Sequence, residues 1–274
     1  MRNKRKVCAI LGISRSTVYY KRKTPPEDPL ESEVIEEFHR HNGNYGARRL
    51  KAVFNGRNKI ISRHRVGRIL KRNSLESKHG RGRLARNIHT STSQQFIAEN
   101  LIKGQAVTAS NEICQMDASV FKHKTGKLIV SGIIDIYDKT VTAAYGTKEN
   151  KELTTAAIIK RFEMGCPRIL HSDRGAANAS LAVKQLLEKE HVSRSMSAPY
   201  SPHENQYIET FWKSAKTEIG ETKHLTQEQL EMVLDYYVHY YNNERIHSSI
   251  GYLTPSQKRR LSLDGYGEVS AGLS

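Results

Sequence analysis

The sequence predicts an α/β fold, a mixed five-stranded sheet with flanking helices, preceded by an all-α basic region. Three observations predict it. From about residue 110, strand-like runs follow one another across short turns and then alternate with helical stretches. Ahead of them, three short segments repeat apolar residues at helical spacing. The charge divides near the same place: residues 1–90 hold 23 Lys and Arg against 7 Asp and Glu, a net +16, whereas residues 91–274 hold 21 of each.

A chain of 274 residues suits two domains, or one domain with a substantial extension. Hydrophobic residues make up 37% and the mean hydropathy is −0.62, and no run approaches the roughly 18 apolar residues of a membrane span. The basic start Met1–Lys6 leads only to the short apolar run Val7–Leu11, too little for a signal peptide. The expectation is a cytoplasmic protein without a membrane partner. Cys8, Cys114 and Cys166 are isolated, with no Cys-x-x-Cys pair, which fits a reducing compartment; Cys114 and Cys166 are expected to be buried. A positive charge concentrated in one third of the chain points to a polyanion, with DNA or RNA held largely through counterion release.

In chain order, residues 1–23 read as a helix-turn-helix-like segment. Lys4–Leu11 is helical, Gly12 turns, and Ser14 caps a second helix that begins Arg15-Ser16-Thr17. Arg15 and Thr17 would approach DNA if that helix enters the major groove, and a plain helical hairpin fits the same residues. The breaker cluster Thr24–Pro29 follows. Residues 30–78 form a basic helical DNA-binding region with helices over Ser32–His41, Gly46–Phe54 and Arg63–Arg72. Arg48, Arg49, Arg65 and Arg68 stand outside their apolar stripes, facing either DNA or solvent. Residues 79–109 are a basic linker.

Residues 110–260 form the sheet unit and its carboxy-terminal helix, and 261–274 a tail. Strands are expected over Glu112–Val120, Leu128–Tyr137 and, past a turn at Asp138-Lys139, Thr140–Thr147. Asn150 caps a helix through Phe162, Arg168–Ser172 is a fourth strand, Ala176–His191 a helix and Ser193–Ala198 a fifth strand. A loop at Pro199–His203 enters the helix of Glu209, and the last helix runs from Thr226 to about Asn243.

Asp117, Asp173 and Glu209 are the candidate catalytic and metal-holding residues, 55 residues separating the first two and 35 the last two. Singly, each has an ordinary explanation as a strand end, a turn former or a solvated helix face. Together they place three carboxylates on two strand ends and a helix. Mg²⁺ takes oxygen ligands, and two such ions about 3.5–4 Å apart clamp an in-line displacement at phosphorus. Lys216, two helical turns beyond Glu209, points along nearly the same face and either holds a DNA phosphate or is an ordinary surface lysine. Asn205 and His203 either position DNA or shape the loop.

The motifs around these residues carry a resemblance. His171-Ser172-Asp173-Arg174-Gly175, Tyr200-Ser201-Pro202 with Asn205 and Glu209-Thr210-Phe211, Lys216-Thr217-Glu218, Tyr241–His247 leading to Gly251–Pro255, and Tyr45-Gly46-Ala47-Arg48-Arg49 resemble the OrfB-type DDE transposases of bacterial insertion sequences. The resemblance covers nearly the whole chain and implies a ribonuclease-H-like catalytic core similar to that of retroviral integrases. It implies that Asp117, Asp173 and Glu209 hold two Mg²⁺ ions, with Mn²⁺ as a substitute, to nick DNA at element ends and join the freed 3′-end to target DNA. It further implies a homo-oligomer and an OrfA partner or fusion. Glu204-Asn205 departs from the usual Asp-Asn pair, and no cysteine pair supports a zinc module. A related integrase or nuclease, or a non-catalytic DNA-binding regulator, are the alternative readings. DNA binding by residues 1–90 should weaken by on the order of 10³-fold between 50 and 200 mM salt; equal DNA affinity in residues 91–274 would refute the charge division.

Overall fold

The computed structural model describes residues 28–79, 97–198 and 202–271. The segment 1–23 with Arg15 and Thr17, most of the linker and residues 199–201 lie outside the described residues. Three helices come first, α1 (Glu31–Arg40), α2 (Ala47–Gly56) and α3 (Arg63–Arg72). Their apolar stripes meet in one cluster of Val34, Phe38, Tyr45, Leu50, Phe54, Ile61, Val66, Ile69 and Leu70. Ser62 caps α3 by accepting from the Arg65 N–H at 3.1 Å, a bond worth about 1 kcal/mol.

Five strands make the sheet: β1 (Ile113–His123), β2 (Gly126–Asp135), β3 (Val141–Gly146), β4 (Ile169–Ser172) and β5 (Ser193–Met196), in the order β3-β2-β1-β4-β5. The first three pair antiparallel, and β4 and β5 join parallel to β1. This is the mixed sheet that the alternation of elements predicts. The turn between β2 and β3 is built by Asp138, whose Oδ1 accepts from the Thr140 N–H at 2.7 Å, while Lys139 takes φ 68°.

One face of the sheet carries Cys114, Met116, Ile133 and Leu170 against α4 (Lys151–Phe162) and α5 (Leu181–Lys189). Asn150 caps α4 through the Leu153 N–H at 3.0 Å, and Ser180 caps α5. Helix α5 therefore begins five residues later than expected at Ala176, because Ser180 offers the cap and Asp173 organises a turn before it. The other face carries Phe121, Leu128, Val130 and Ile134 against α6 (Gln206–Ile219) and α7 (Gln227–Asn243). Thr226 and Gln229 close a capping box on α7.

Two expectations are corrected. A helix α8 over Pro255–Ala271 follows α7, begun by Thr254, which accepts from the Gln257 N–H at 3.2 Å. Gly265 and Gly267 hide it from sequence reading because glycine disfavours helix interiors. Its Arg259 reaches into the sheet unit and pairs with Asp138 at 2.9 Å. Cys166 is exposed rather than buried, because it stands in the connection from α4 to β4 instead of within an element; Cys114 is buried as expected. Among the described residues no helix is long and apolar enough to cross a membrane.

Gly132 sets how closely α6 lies on the sheet. A Cβ there would come 2.6 Å from the Trp212 ring, and Trp212 is buried with Phe211 and Ile208. Gly132→Ala should lower stability by about 1–3 kcal/mol through overpacking, read as a reduced midpoint in urea; an unchanged midpoint would show that α6 tolerates displacement.

Candidate active site

Asp117 stands in the middle of β1, paired in register with Gly132 of β2. Antiparallel partners share a face, so Asp117 lies on the side of the sheet that α6 covers. Ser172 pairs with Met116 across the parallel β1–β4 ladder, and one further residue brings Asp173 alongside Asp117. Asp173 is held there by two bonds to its Oδ1, from the Gly175 N–H at 2.9 Å and Asn178 Nδ2 at 2.7 Å. Asn178 is itself buried. On α6, Ile208, Phe211, Trp212 and Ala215 go inward, which leaves Glu209 and Lys216 on the exposed side of the helix.

Asp117 senses the charges around it. Burial pushes the Asp117 carboxyl up to about 7, and the neighbouring charges of Asp173, Glu209 and Glu149 push it the same way. Burial also raises Glu209. Lys216 is lowered by partial burial and favoured by the Asp117 charge, and its Nζ lies 5.6 Å from the Phe121 ring centroid. The structure thus brings Asp117, Asp173, Glu209 and Lys216 into one electrostatic neighbourhood. It does not close a cage: among the described residues, no three His, Cys, Asp or Glu side chains are gathered tightly enough to hold a metal ion. The donors are all carboxylate oxygens, the type a hard divalent cation takes, and their mutual repulsion is what such a cation relieves. A cavity of about 860 Å³ lies beside the amino-terminal end of α6, lined by Gln115, Glu204, Tyr207, Lys103, Lys139 and Lys258 but by none of the three carboxylates.

His171, in the same motif as Asp173, is no ligand candidate. It is buried between Ser195 Oγ at 2.8 Å and Ser197 Oγ at 3.1 Å, and burial lowers its pKa to about 4, so the ring is neutral. Asn205 is also buried and donates to the Met116 carbonyl at 3.1 Å, so it shapes the loop; Glu204 accepts from the Ala198 N–H at 2.7 Å. Three supporting residues escaped sequence reading: Asn178, Gly132 and Gln115. The last leaves a signal, a polar residue two positions before Asp117 in an apolar strand.

The expected DNA-contacting residues divide. Arg48 and Arg68 are exposed. Arg65 is committed to Asp28 by two bonds, 2.7 Å from Nε and 2.6 Å from a terminal nitrogen, and those bonds hold Asp28 at about 2. Arg49 is turned inward over the Tyr45 ring, 5.5 Å from its centroid. Tyr45 is fully buried, stacked on His41 at 3.8 Å, and its hydroxyl accepts from the Ile246 N–H at 2.9 Å and donates to the Glu244 carbonyl at 3.2 Å. Nearby, Glu218 of α6 accepts from Arg245 at 2.7 Å, from the Tyr237 hydroxyl at 3.1 Å and from His79. Burial alone would raise Glu218, but the bonds from His79 and Arg245 outweigh it and hold the carboxyl at about 2. The helical region is thereby fastened to the carboxy-terminal end of the helix that bears Glu209.

Comparison with known proteins gives the family. Integrase core domains match residues 107–202 and 190–255, and an HTH-like domain matches 25–83. An uncharacterized 31 kDa protein of insertion element IS600 from Shigella sonnei is 29% identical, over 92% of this chain and 97% of its own length. A transposase-like protein of Haemophilus influenzae is 33% identical, over 61% of this chain and 80% of its own. A simian T-cell lymphotropic virus intasome in complex with a PP2A regulatory subunit shares the fold at a TM-score of 0.51 and 16% identity, over 84% of this chain and 74% of that one. With an integrase core, an HTH-like region and these relatives, the chain belongs to the family of insertion-sequence transposases.

Proposed function

We propose that this chain cuts DNA at the ends of an insertion sequence and joins the freed ends to target DNA, using Asp117, Asp173 and Glu209 as the holders of divalent metal. The observation that carries the proposal is the placement of Asp117 on β1 alongside Asp173 at the end of β4, on the sheet face covered by the helix that bears Glu209; burial and the repulsion of the neighbouring acids both raise the Asp117 carboxyl. A fold with no use for that repulsion would be more stable without it. Two Mg²⁺ ions, or Mn²⁺, would supply charge neutralisation at the attacking and leaving oxygens when bound. Asp117 and Asp173 would hold them from adjacent strands and Glu209 from the helix opposite. Lys216 would bind a DNA phosphate as a point charge beside them. Arg48 and Arg68 would hold the backbone farther out, and Arg15 and Thr17 would contribute from the amino-terminal segment. Joining requires two element ends in one place, so the working form would be an assembly of at least two copies on DNA, with an OrfA partner or fusion completing end recognition.

Asp173→Asn should reduce metal-dependent nicking of an end-containing duplex by at least 10³-fold, on the scale of losing a transition-state electrostatic group, while DNA affinity stays within about threefold. Undiminished nicking would reject the site. DNA binding without nicking by the unaltered chain, with Mg²⁺ and Mn²⁺ supplied, would instead favour the regulator reading.

Asp117 gives a second test. Its folded-state pKa of about 7 exceeds the ordinary value of 3.8, so the folded state holds the proton more tightly. The stabilisation is full below about pH 4 and is lost as pH rises through about 7. Asp117→Asn should therefore raise the melting temperature in metal-free buffer at pH 8, by about 2 °C or more, and make little difference at pH 4. A melting temperature lowered at pH 8 would contradict the raised pKa.

A further inference from the structure

Gln115 is 1% exposed and sits on β1 two residues before Asp117, on the same face. Its side chain crosses to the start of α6. Oε1 accepts from the Tyr207 N–H at 3.0 Å and the Ile208 N–H at 3.4 Å, and Nε2 donates to the Glu204 carbonyl at 2.7 Å. The first amides of a helix have no acceptor within the helix. The residue before α6, Asn205, does not cap it; its side chain donates instead to the Met116 carbonyl. The amino-terminal end of α6 is thus bound to positions 115 and 116 of the strand, and Glu209 follows Ile208 directly.

We infer that Gln115 is a positioning residue for Glu209: it fixes the height and rotation of α6 against β1, and so sets how Glu209 faces Asp117. Glutamine does this by accepting and donating at once. A glutamate at 115 still accepts from the two amides, next to the positive end of the helix dipole, but cannot donate while ionised. A methionine of similar length does neither. The inference rests on the reading of Glu209 as a metal-holding residue.

The test measures Mn²⁺ affinity by calorimetry, without DNA, in the full-length wild type, Gln115→Met, Glu209→Gln and the double variant. Gln115→Met should weaken Mn²⁺ by on the order of 10-fold, as loss of a residue that orients a metal ligand does. The double variant should bind no more weakly than Glu209→Gln, because Gln115 acts through Glu209. Amide hydrogen exchange supplies an independent readout: Tyr207 and Ile208 should lose protection in Gln115→Met and regain most of it in Gln115→Glu, with α7 unchanged. Wild-type affinity in Gln115→Met, or fully additive losses in the double variant, would overturn the inference. Wild-type affinity in Glu209→Gln would overturn the metal reading and the inference with it, while exchange at Tyr207 and Ile208 would still tell whether Gln115 holds the helix. If Gln115→Met fails to fold, Gln115→Glu carries the same comparison, with a smaller weakening expected; no weakening and unchanged exchange would overturn the inference.

Discussion

Helix α6 lies closer to β2 than any side chain at Gly132 would allow, and the arrangement of the candidate site depends on that approach. The Trp212 ring fills the space a Cβ would take, next to Phe211, Phe121 and Tyr241. Aromatic packing of this kind is dense and short-ranged, so the helix has little freedom to rise or roll. Because Gly132 pairs with Asp117, the place where the helix lies closest against β2 is also where the half-buried Asp117 carboxylate stands. Steric permission on one strand thus determines electrostatic crowding on its neighbour.

The helix is held again at its far end, where Glu218 collects Arg245, Tyr237 and His79. A buried carboxylate of this sort is costly unless every partner is present. Its partners come from three places: His79 from the end of the helical region, Tyr237 from α7, and Arg245 from the connection that follows α7. Tyr45 adds a second fastening through the backbone at 244 and 246. The Tyr45–Arg49 motif, which sequence reading gives to DNA, therefore has at least part of its chemistry directed inward. Arg48 alone of its two arginines faces out.

Much of this was legible in the sequence because it rests on periodicity and on local chemistry. The strand runs, the cap at Asn150, the start of the helix at Thr226 and the turn at Asp138-Lys139 are properties of a few adjacent residues, and they appear where the pattern puts them. The family was legible in its motifs. What the sequence did not reveal depends on residues far apart in the chain. Gln115 and Tyr207 are 92 positions apart, and Asp28 and Arg65 are 37 apart; no local signal says that a basic residue will be neutralised by such a partner. Helix α8 was missed for a different reason, since two glycines lower its intrinsic propensity while Arg259 secures its first turns from the side. Cys166 shows the limit of composition: a cysteine beside a turn can face water as readily as a core.

The ion pairs of the helical region alter what its charge means. Arg40 and Arg57 share Glu37, Lys59 meets Glu33, Arg65 meets Asp28 and Arg72 meets Glu31, whereas Arg48 and Lys51 on α2 and Arg63, Arg68 and Lys71 on α3 are exposed and lie outside these ion pairs. A guanidinium already matched to a carboxylate displaces few condensed ions when a duplex arrives. The number of phosphates these helices can neutralise is therefore set by the outward cations, and the formal excess of the first third overstates it. Arginine in this region serves two trades: one set welds the bundle shut, and the other is left to meet the polyanion.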